Sequence, residues 1–314
     1  MELTVQDKGR LDVFLHRTEP DISRVQAGQL VRGGCVLVNG RVTRKPAHVV
    51  RSGDTVSVTN TREPASETHI TPVDLHLPIL FEDSACLVIA KPAGIAVHPA
   101  PGLKRGEPTL LHGIAFLFRK KHIPFSADSV LVHRLDRETT GCVLIAKSKK
   151  AHAFLQKQFA ERSIAKRYLA IVAGIPDPPS ALIDAPLGRN LTERTKMSVL
   201  KTSVSREART TYHTLQRGKH VALLACDLHT GRTHQIRVHL ASVGHPLLGD
   251  GKYASSSSRR LTEEYGIENL CLHAWQLTFR SSADDQEHTV RAPPPEIFLR
   301  AVKGCGISIQ AIAG

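Results

Sequence analysis

The alternation of apolar and polar residues predicts a small α/β unit at the start of the chain. Residues 11–15 carry apolar side chains at helical spacing, and a second helix is predicted over residues 23–31, with Ser23 as its N-cap. Residues 35–40 (CVLVNG) form a predicted strand that enters an Asn-Gly turn, which is a strong hairpin signal. Another strand is expected within residues 49–58, after a Ser-Gly-Asp turn.

A longer region of mixed strands and helices begins at Ile79. Three apolar runs have the length of single buried strands, namely residues 86–90, 142–146 and 221–226. Apolar side chains at helical spacing predict a helix over residues 151–162, and a strand is expected after it at 168–173. Polar residues with three prolines separate the two regions and predict a linker. We therefore expect domains at 1–60 and 79–314, joined by a linker at 61–78.

Composition and the length of the apolar runs exclude several classes of protein. No apolar run approaches the ~18 residues of a membrane span. The first residues lack the basic and hydrophobic segments of a secretory signal, so a cytoplasmic protein without membrane contact is expected. The six cysteines lie far apart without a C-x-x-C pair, which favours free thiols and the absence of a structural metal.

The charge of the chain favours a polyanionic partner. Lys and Arg number 42 against 29 Asp and Glu, which gives a formal net charge of +13. Most of this excess lies in residues 91–170, which hold 15 basic and 5 acidic side chains. Surface charge is normally mixed, so this concentration predicts a face that binds RNA or DNA, although basic enzymes and well-solvated surfaces have similar compositions.

One carboxylate stands out in the basic stretch. Asp136 lies between Arg134 and Arg137 in the segment HRLDRETTG (133–141), directly before a buried strand. Neighbouring cations favour the ionised form of a carboxylate, which can then act as a nucleophile or base. An ordinary surface ion pair is the alternative interpretation, and the local sequence alone favours it.

Residues 10–58 resemble the S4 RNA-binding module. The matching segments are RLD at 10–12, SR at 23–24, GCVLVNG at 34–40, KP at 45–46 and GD at 53–54. The resemblance implies that the basic second helix and the turn after it lie against RNA, with Arg24, Arg32, Arg41 and Lys45 as candidate contacts. Arginines that only face water are the alternative, but a cluster of this kind is suited to binding phosphates.

Segment 133–141 resembles the H-R-L-D-x-x-T-[ST]-G signature of the RNA pseudouridine synthases, in the branch typified by the bacterial enzymes of large-subunit ribosomal RNA. Five further segments match this family in the same order: KPAGIAVH (91–98), KRYLA (166–170), LHTGRTHQIRVHL (228–240), HPLLGD (245–250) and LHA (272–274). Six matches in order are difficult to explain by chance. They cover the chain from about Ile79 to the Ala-Pro segment at 292–293.

The resemblance implies both a fold and a reaction. The fold is α+β, with a small S4-like α/β domain followed by a catalytic domain whose mixed, mainly antiparallel sheet is flanked by helices. In the reaction, the N-glycosidic bond of a uridine in RNA breaks and the uracil is rejoined through carbon. The reaction has no net redox change and consumes no water, so neither a cofactor nor a metal is expected, and the sequence shows no motif for either.

Four residues receive roles from this resemblance. Asp136 matches the catalytic aspartate and is the expected nucleophile. Arg237 matches the arginine that pairs with it, and a guanidinium group fits a carboxylate bidentately. Tyr168 matches the active-site tyrosine, whose ring can stack on the uracil. Arg134 matches the arginine that fills the space left by the flipped-out uridine, because the glycosidic bond is inaccessible inside a stacked helix.

The expected partner is 23S ribosomal RNA, including RNA in ribosome precursors, and the expected state is a monomer. The S4-like module and the likeness of residues 185–189 and 194–197 to the large-subunit enzymes favour this target. Three alternatives stay open at this point: a synthase that modifies tRNA or another RNA, a binding factor without activity, and a metal-dependent hydrolase of RNA. The hydrolase would need clustered carboxylates, and only Glu138 accompanies Asp136 in this segment.

Two details of the sequence leave smaller questions open. Residues 251–254 (GKYA) and 280–282 (RSS) depart from the family pattern, and both are expected to lie away from Asp136. His234 and His239 are five residues apart and lack H-E-x-x-H spacing. They are therefore expected to be structural or RNA-facing rather than metal ligands.

Overall fold

The computed structural model describes most of the chain. It describes residues 2–19, 22, 24–58, 70–99, 103–104, 106–193, 195–200, 204–308 and 310, with Val25 described by its backbone alone. The chain separates into two compact units, Met1–Ile70 and Thr71–Gly314. The predicted N-cap Ser23 and residues 61–69 of the predicted linker lie outside the described residues.

Two helices and short antiparallel strands make up the first unit. The elements are β1 (Glu2–Thr4), β2 (Gly9–Arg10), α1 (Leu11–Thr18), α2 (Arg24–Arg32), β3 (Val36–Val38), β4 (Arg41–Val42), β5 (Val49–Val50) and β6 (Thr55–Val58). One sheet has the order β1-β6-β3-β4, and β2 pairs with β5. Leu11, Leu15 and Val31 of the helices are buried against Val36 and Val56 of the sheet.

Both predicted helices and the predicted hairpin of this unit are confirmed. Asn39 and Gly40 adopt φ angles of 50° and 74°, which lets β3 turn back directly into β4. Residues 49–58 contain two strands instead of the one predicted. Strand β6 follows the Ser-Gly-Asp turn as predicted, whereas β5 precedes the turn and pairs in a different sheet. The Asp54 carboxylate accepts the backbone N–H of Arg51 at 2.7 Å, and this bond closes the turn that separates the two strands.

The second unit contains longer strands and five helices among its described residues. The elements are β7 (Ile79–Glu82), β8 (Cys86–Lys91), α3 (Leu110–Lys120), β9 (Thr140–Ala146), α4 (Lys149–Glu161), β10 (Ala165–Ala173), β11 (Ser180–Asp184), β12 (Leu187–Arg189), β13 (Met197–Val199), β14 (Arg209–Arg217), β15 (Val221–Leu228), α5 (Gln235–Ser242), α6 (Ser256–Glu264), β16 (Leu272–Arg280), β17 (Glu287–Arg291) and α7 (Glu296–Gly304). The four buried strands and the helix predicted from apolar spacing correspond to β8, β9, β15, β10 and α4.

A nine-stranded sheet organises the described part of this unit. Its order is β11-β14-β15-β10-β16-β9-β8-β7, with β17 paired to the second half of β16. Within the described residues only the β9–β16 pair is parallel, which confirms the expected mixed, mainly antiparallel sheet. Apolar side chains of α4, α6 and α7 pack against the sheet; examples are Leu155, Leu261 and Val302.

The residues that precede β7 belong to the second unit rather than to a free linker. Leu77 is buried, and the backbone N–H of Val73 donates to the carbonyl oxygen of His112 in α3. The side chains of Leu75 and Leu77 lie so close to Gly113 that a Cβ atom there would touch both. Residues 71–78 therefore differ from the predicted linker, because their alternating leucines pack on α3.

The structure also bears on the expectations for cysteines, metals and membranes. All six cysteines are buried thiols that form no disulfide bond. Within the described ranges, no three His, Cys, Asp or Glu side chains are grouped closely enough to hold a metal ion. No helix in the described part of the chain has both the length and the apolar character needed to cross a membrane.

The parallel pairing of β9 with β16 requires a glycine at the end of the segment 133–141. Gly141 pairs with Ala274 and adopts a φ of 112°, a value that favours glycine. A Cβ atom at this position would collide with the carbonyl group of Ala274. This close contact fixes the point at which the segment that contains Asp136 enters the sheet.

Candidate active site

Asp136 lies in the loop that leads into β9. The backbone N–H of Thr139 donates to the carbonyl oxygen of Asp136 at 3.1 Å, which closes a turn directly before the strand. The Asp136 side chain is 19% exposed and lines a cavity of about 440 Å³. The carboxylate is thus accessible to a ligand of moderate size although its backbone is held by the sheet.

Lys91 stabilises the loop that contains Asp136. Its side chain is fully buried, and Nζ donates to the carbonyl oxygens of Pro92, Ile95 and Arg137 at 2.6, 2.8 and 2.8 Å. Burial lowers the pKa of Lys91 to about 8, although the charges of Glu138 and Asp136 oppose the decrease. The ammonium group therefore connects the end of β8 to the residue that follows Asp136.

Two histidines, half-buried His133 and buried His273, bind the same segment to the sheet. His133 Nε2 accepts the backbone N–H of Leu144 at 2.8 Å. His273 Nε2 lies 3.0 Å from the carbonyl oxygen of Ala292, so this nitrogen carries the proton and Nδ1 accepts from the Thr140 hydroxyl at 2.8 Å. Burial lowers the pKa of His133 to about 3 and that of His273 to about 4. Both side chains are consequently neutral parts of the frame.

Arg237 contacts Asp136 from α5. Its Nη1 donates to Asp136 Oδ2 at 3.0 Å, whereas Nε and Nη2 donate to the two oxygens of Asp250 at 2.8 Å each. The bidentate pairing expected for Asp136 therefore belongs to Asp250, and Asp136 accepts a single hydrogen bond. Burial would lower the pKa of Arg237, but the two carboxylates outweigh it and raise this pKa.

Asp250 received no role from sequence reasoning, although it ends the matching segment HPLLGD. Its side chain is completely buried, and Oδ1 also accepts the backbone N–H groups of Lys252 and Tyr253 at 2.9 and 3.1 Å. Burial would raise the pKa of Asp250, but the hydrogen bonds and charge of Arg237 lower it overall. Asp250 thus orients the guanidinium group that contacts Asp136.

Tyr253 and His234 contact each other beside Arg237 and Asp136. The Arg237 guanidinium carbon lies 5.1 Å from the centre of the Tyr253 ring. The Tyr253 hydroxyl accepts the backbone N–H of Met197 at 2.9 Å and lies 2.7 Å from His234 Nδ1, while His234 Nε2 is 3.9 Å from Asp136 Oδ2. The expectation that residues 251–254 lie away from Asp136 is therefore wrong, because Asp250 draws Tyr253 onto Arg237.

Tyr168 lines the cavity from β10. Its side chain is almost fully buried, and within the described residues its hydroxyl has no hydrogen-bond partner. Burial, with a smaller contribution from the Asp136 charge, raises the pKa of Tyr168. The phenol is therefore neutral, and its polar end is available to a ligand in the same cavity as Asp136.

Comparison with known proteins assigns a family to this arrangement. Residues 85–242 match the family model described as RNA pseudouridylate synthase, and residues 9–56 match the S4 domain. The chain belongs to the RNA pseudouridylate synthase family. One relative, an RNA pseudouridine synthase of Aquifex aeolicus, is 38% identical over 93% of this chain and 92% of its own length.

A second relative and one solved structure agree with this assignment. The ribosomal large subunit pseudouridine synthase D of Zymomonas mobilis is 39% identical over 86% of this chain and 85% of its own length. The human RNA pseudouridylate synthase domain containing 4 is 27% identical, with a TM-score of 0.60, and covers 74% of this chain and 94% of its own. The fold and the reaction class expected from the sequence motifs are thereby confirmed.

The arginines that flank Asp136 in this pseudouridine synthase point elsewhere. Arg134 is exposed at the rim of the cavity. Arg137 forms an ion pair with Glu107 at 2.8 Å, and its Nε donates to the carbonyl oxygen of Gly94 at 2.9 Å. The cation that neutralises the Asp136 carboxylate is therefore Arg237, which is 101 residues away in the sequence.

The remaining predicted RNA contacts of the synthase lie on its S4 domain. Arg24 and Arg32 are exposed on α2, Arg41 is exposed on β4, and Lys45 is exposed in the loop after β4. Arg24 also approaches the carboxylate of Asp12 at 3.6 Å. All four cations are accessible to a phosphate backbone.

The two histidines considered as metal ligands have other partners. His239 is buried, with Nδ1 at 2.9 Å from the Thr210 hydroxyl and Nε2 at 2.9 Å from the carbonyl oxygen of Ala185. His234 contacts Tyr253 and Asp136 as described above. His239 is thus structural, and His234 lines the same cavity as Asp136.

Proposed function

We propose that this synthase converts specific uridines of large-subunit (23S) ribosomal RNA to pseudouridine, with Asp136 as the nucleophile and without a cofactor. The observation that carries the proposal is the position of Asp136, which lies in the cavity with one oxygen bonded to Arg237. Relatives that are 35–39% identical to this chain are named ribosomal large subunit pseudouridine synthase D, which supports the choice of RNA.

The chemistry requires one bond exchange at the ribose. The C1′–N1 bond breaks, a C1′–C5 bond forms, C5 loses its proton and N1 gains one, so atoms and charge balance without another reactant. A carboxylate can form or stabilise a sugar intermediate in glycosyl transfer. Attack at the ribose and attack at the base both require an ionised carboxylate beside the uridine, and both assign that role to Asp136.

Tyr168 and Arg134 act on the base and on the helix that it leaves. The Tyr168 ring lies in the wall of the cavity, where it can stack on the uracil, and its free hydroxyl faces the reacting carbon. Arg134 at the rim enters the space that the flipped uridine vacates. Flipping is required because the glycosidic bond cannot be reached within a stacked helix.

The S4 domain supplies affinity for the same RNA. Its exposed cations Arg24, Arg32, Arg41 and Lys45 contact phosphates and thereby contribute binding that depends on salt concentration. The synthase acts as a cytoplasmic monomer on ribosomal RNA, including RNA in ribosome precursors.

Mapping of pseudouridine tests the target. Carbodiimide-dependent primer extension is carried out on ribosomal RNA from cells with and without the protein. We expect one or a few large-subunit stops to disappear on deletion and to return with wild type but not with Asp136→Asn. An unchanged ribosomal pattern would contradict the rRNA target, and the same assay on small RNA would then test tRNA.

A tritium-release assay tests the nucleophile. Tritium at C5 of uridine passes to water during the reaction, because C5 becomes bonded to ribose. Asp136→Asn should lower the rate by at least about 1,000-fold while RNA affinity changes less than about threefold. Wild-type turnover by this variant would exclude Asp136 as the nucleophile, and Asp285→Asn, a change at an exposed loop residue, is the matched control.

A further inference from the structure

One end of the active-site cavity carries more positive charge than its surroundings neutralise. Arg162, Lys166 and Arg232 all line the cavity, and we call these three residues the cationic end. Glu207 is the single carboxylate within ion-pair distance of this end among the described residues, and it is shared with Arg209. Its partner at the cationic end is Arg162, with Nη2 at 2.8 Å.

Lys166 is the least compensated of the three cations. It is half-buried on β10, its Nζ lies 5.7 Å from the centre of the Phe159 ring, and no described carboxylate lies within 4 Å. Burial and the charge of Arg162 together lower the pKa of Lys166. A sheltered ammonium group without a carboxylate partner costs free energy that a bound anion can offset.

Arg232 has a similar environment in the loop before α5. Its Nε donates to the backbone carbonyl oxygen of Glu207 at 3.0 Å, but its guanidinium forms no ion pair with a described carboxylate. Burial and the charges of Arg206 and Arg162 lower the pKa of Arg232. Two cations of the cationic end are therefore held close to other positive charges, with hydrogen-bonding capacity left for an anion.

The cationic end lies close to Tyr168, the residue proposed to stack on the uracil. Lys166 precedes Tyr168 by two residues on β10, and residues two apart on a strand share a face and lie about 7 Å apart. This separation is comparable to the span between a nucleobase and the phosphate of the same nucleotide. Both side chains line the same cavity.

We propose that the cationic end is a subsite for a phosphodiester group of RNA directly next to the target uridine. The subsite rests on the proposed function, because it assumes that the uridine occupies the cavity beside Tyr168. Arg232 presents N–H donors in a planar arrangement that matches phosphate oxygens, and Lys166 adds a point charge. The phosphate fixes the register of the strand, so that a uridine with its own backbone phosphate is held against Asp136.

The first test measures how RNA binding depends on salt. The probe is a nine-nucleotide RNA with a central uridine among adenosines, and binding to the full-length Asp136→Asn protein is followed by fluorescence anisotropy. Each phosphate contact contributes about 0.7 to the slope of log K against log salt for single strands. Lys166→Met should reduce the slope by about this amount and weaken binding about tenfold at low salt.

A matched control separates the subsite from general attraction. Lys157→Met removes the same charge from α4 at a side chain that is 73% exposed and forms an ion pair with Glu161. It should leave the slope within error of the parent protein, and Lys166→Arg should retain most of the binding. Equal effects of Lys166→Met and Lys157→Met would overturn the proposal.

The second test locates the phosphate. A single uncharged methylphosphonate replaces the phosphodiester on the 5′ or the 3′ side of the uridine. One of these two probes should bind the parent protein several-fold more weakly, and Lys166→Met should be insensitive to the same replacement. A loss of equal size in both proteins would overturn the subsite. Thermal unfolding of Lys166→Met establishes that the variant is folded.

These measurements do not require turnover. The subsite is tested in the Asp136→Asn background by binding alone, and the reaction is tested separately by tritium release from RNA with the wild-type protein. If Lys166→Met leaves the salt slope of the parent protein unchanged while the wild-type protein releases tritium, the subsite is rejected and the proposed function stands. If Lys166→Met reduces the salt slope but the wild-type protein releases no tritium, the subsite is supported and the proposed reaction is contradicted.

Discussion

The two ends of the active-site cavity hold their charges in opposite ways. At one end, which we call the paired end, Arg237 lies between the carboxylates of Asp136 and Asp250, and each contact is 3.0 Å or shorter. At the cationic end, Glu207 forms an ion pair with Arg162, whereas Lys166 and Arg232 form no ion pair with a described carboxylate. The charges of the paired end are therefore balanced without a ligand, whereas the cationic end has positive charge that no described carboxylate balances.

This difference separates orientation from binding. A guanidinium group held on two sides by carboxylates cannot reorient without breaking buried hydrogen bonds, so the geometry around Asp136 is set before RNA arrives. Exposed or half-exposed cations remain hydrated until a phosphate replaces the water. Variants at the paired end should therefore affect turnover and stability, and variants at the cationic end should affect RNA affinity.

After Asp136→Asn, the largest effect is expected from Asp250→Asn. This change removes the bidentate partner of Arg237 and leaves a buried guanidinium with too few acceptors. Breaking a buried pair on one side typically costs about 3–5 kcal/mol of the free energy of unfolding. Because Arg237 also loses its orientation, turnover should fall at least about 100-fold.

Urea unfolding and tritium release measure the two consequences of Asp250→Asn. Asp285→Asn is the control, because Asp285 is 72% exposed and its ion pair with Arg280 lies outside the cavity. A variant of Asp250 with wild-type turnover would show that Arg237 is oriented by other contacts.

Buried His273 should make the stability of the protein sensitive to acid. His273 is neutral at neutral pH, and its pKa is about 4 in the folded protein against about 6.5 when unfolded. Above about pH 6.5 neither state binds a proton, and between about pH 6.5 and 4 the unfolded state binds it first. The free energy of unfolding should therefore fall as the pH decreases, by about 3 kcal/mol in total from this residue.

The acid sensitivity is measured by urea unfolding at about pH 7 and about pH 4.5, in wild type and in His273→Gln. The glutamine removes the titrating group, so the loss of stability between the two pH values should become smaller. His220→Gln, a change at an exposed histidine, should leave the wild-type difference intact. An identical pH dependence in wild type and His273→Gln would contradict the prediction.

A moderate effect is expected from Lys91→Met. Methionine nearly fills the volume but leaves the carbonyl groups of Pro92, Ile95 and Arg137 without their shared donor, so the loop with Asp136 should shift. We expect kcat to fall about 10- to 100-fold while KM stays within about twofold, because Lys91 does not line the cavity. Lys157→Met is the matched control for steady-state tritium release, and a change confined to KM would contradict a positioning role.

The smallest effect is expected from Glu207→Gln at the cationic end. The change removes the carboxylate that competes with phosphate for Arg162, so RNA binding should tighten about two- to fivefold at low salt, and the gain should vanish as salt increases. Fluorescence anisotropy measures the affinity, with Glu264→Gln on α6 as the exposed control. Weaker binding would mean that Glu207 positions Arg162 instead of competing for it.

Local patterns were sufficient to predict most of the elements. The helical spacing in residues 11–15, the Asn39-Gly40 turn and the buried apolar runs each depend on neighbours in the sequence, and each corresponds to an observed element. The strand β5 was missed because two residues carry too little periodicity. Residues 71–78 were assigned to a linker because the packing of Leu77 on α3 has no local signal.

The site was predicted unevenly for the same reason. The family motifs named Asp136, Tyr168 and Arg237, which the structure brings to one cavity. The same motifs contain Lys91 and Asp250, but nothing in their spacing indicates what these side chains contact. The role of Tyr253 was missed because its segment departs from the family pattern, although its ring packs on Arg237.

The sequence by itself determined the family, the two-domain composition, the excess of basic residues and the candidates for catalysis, because these follow from residue identity and order. Only the tertiary structure decided that Arg237 pairs bidentately with Asp250, that Lys91 holds the loop containing Asp136, and that Arg162, Lys166 and Arg232 lie at one end of the same cavity. The hydrogen bonds of Arg237 with Asp250 and Asp136, and that of Lys91 with Arg137, join residues from 13 to 101 positions apart in the chain. Hydrogen bonds and charge interactions act over a few ångströms in space, and the folded chain alone sets those distances.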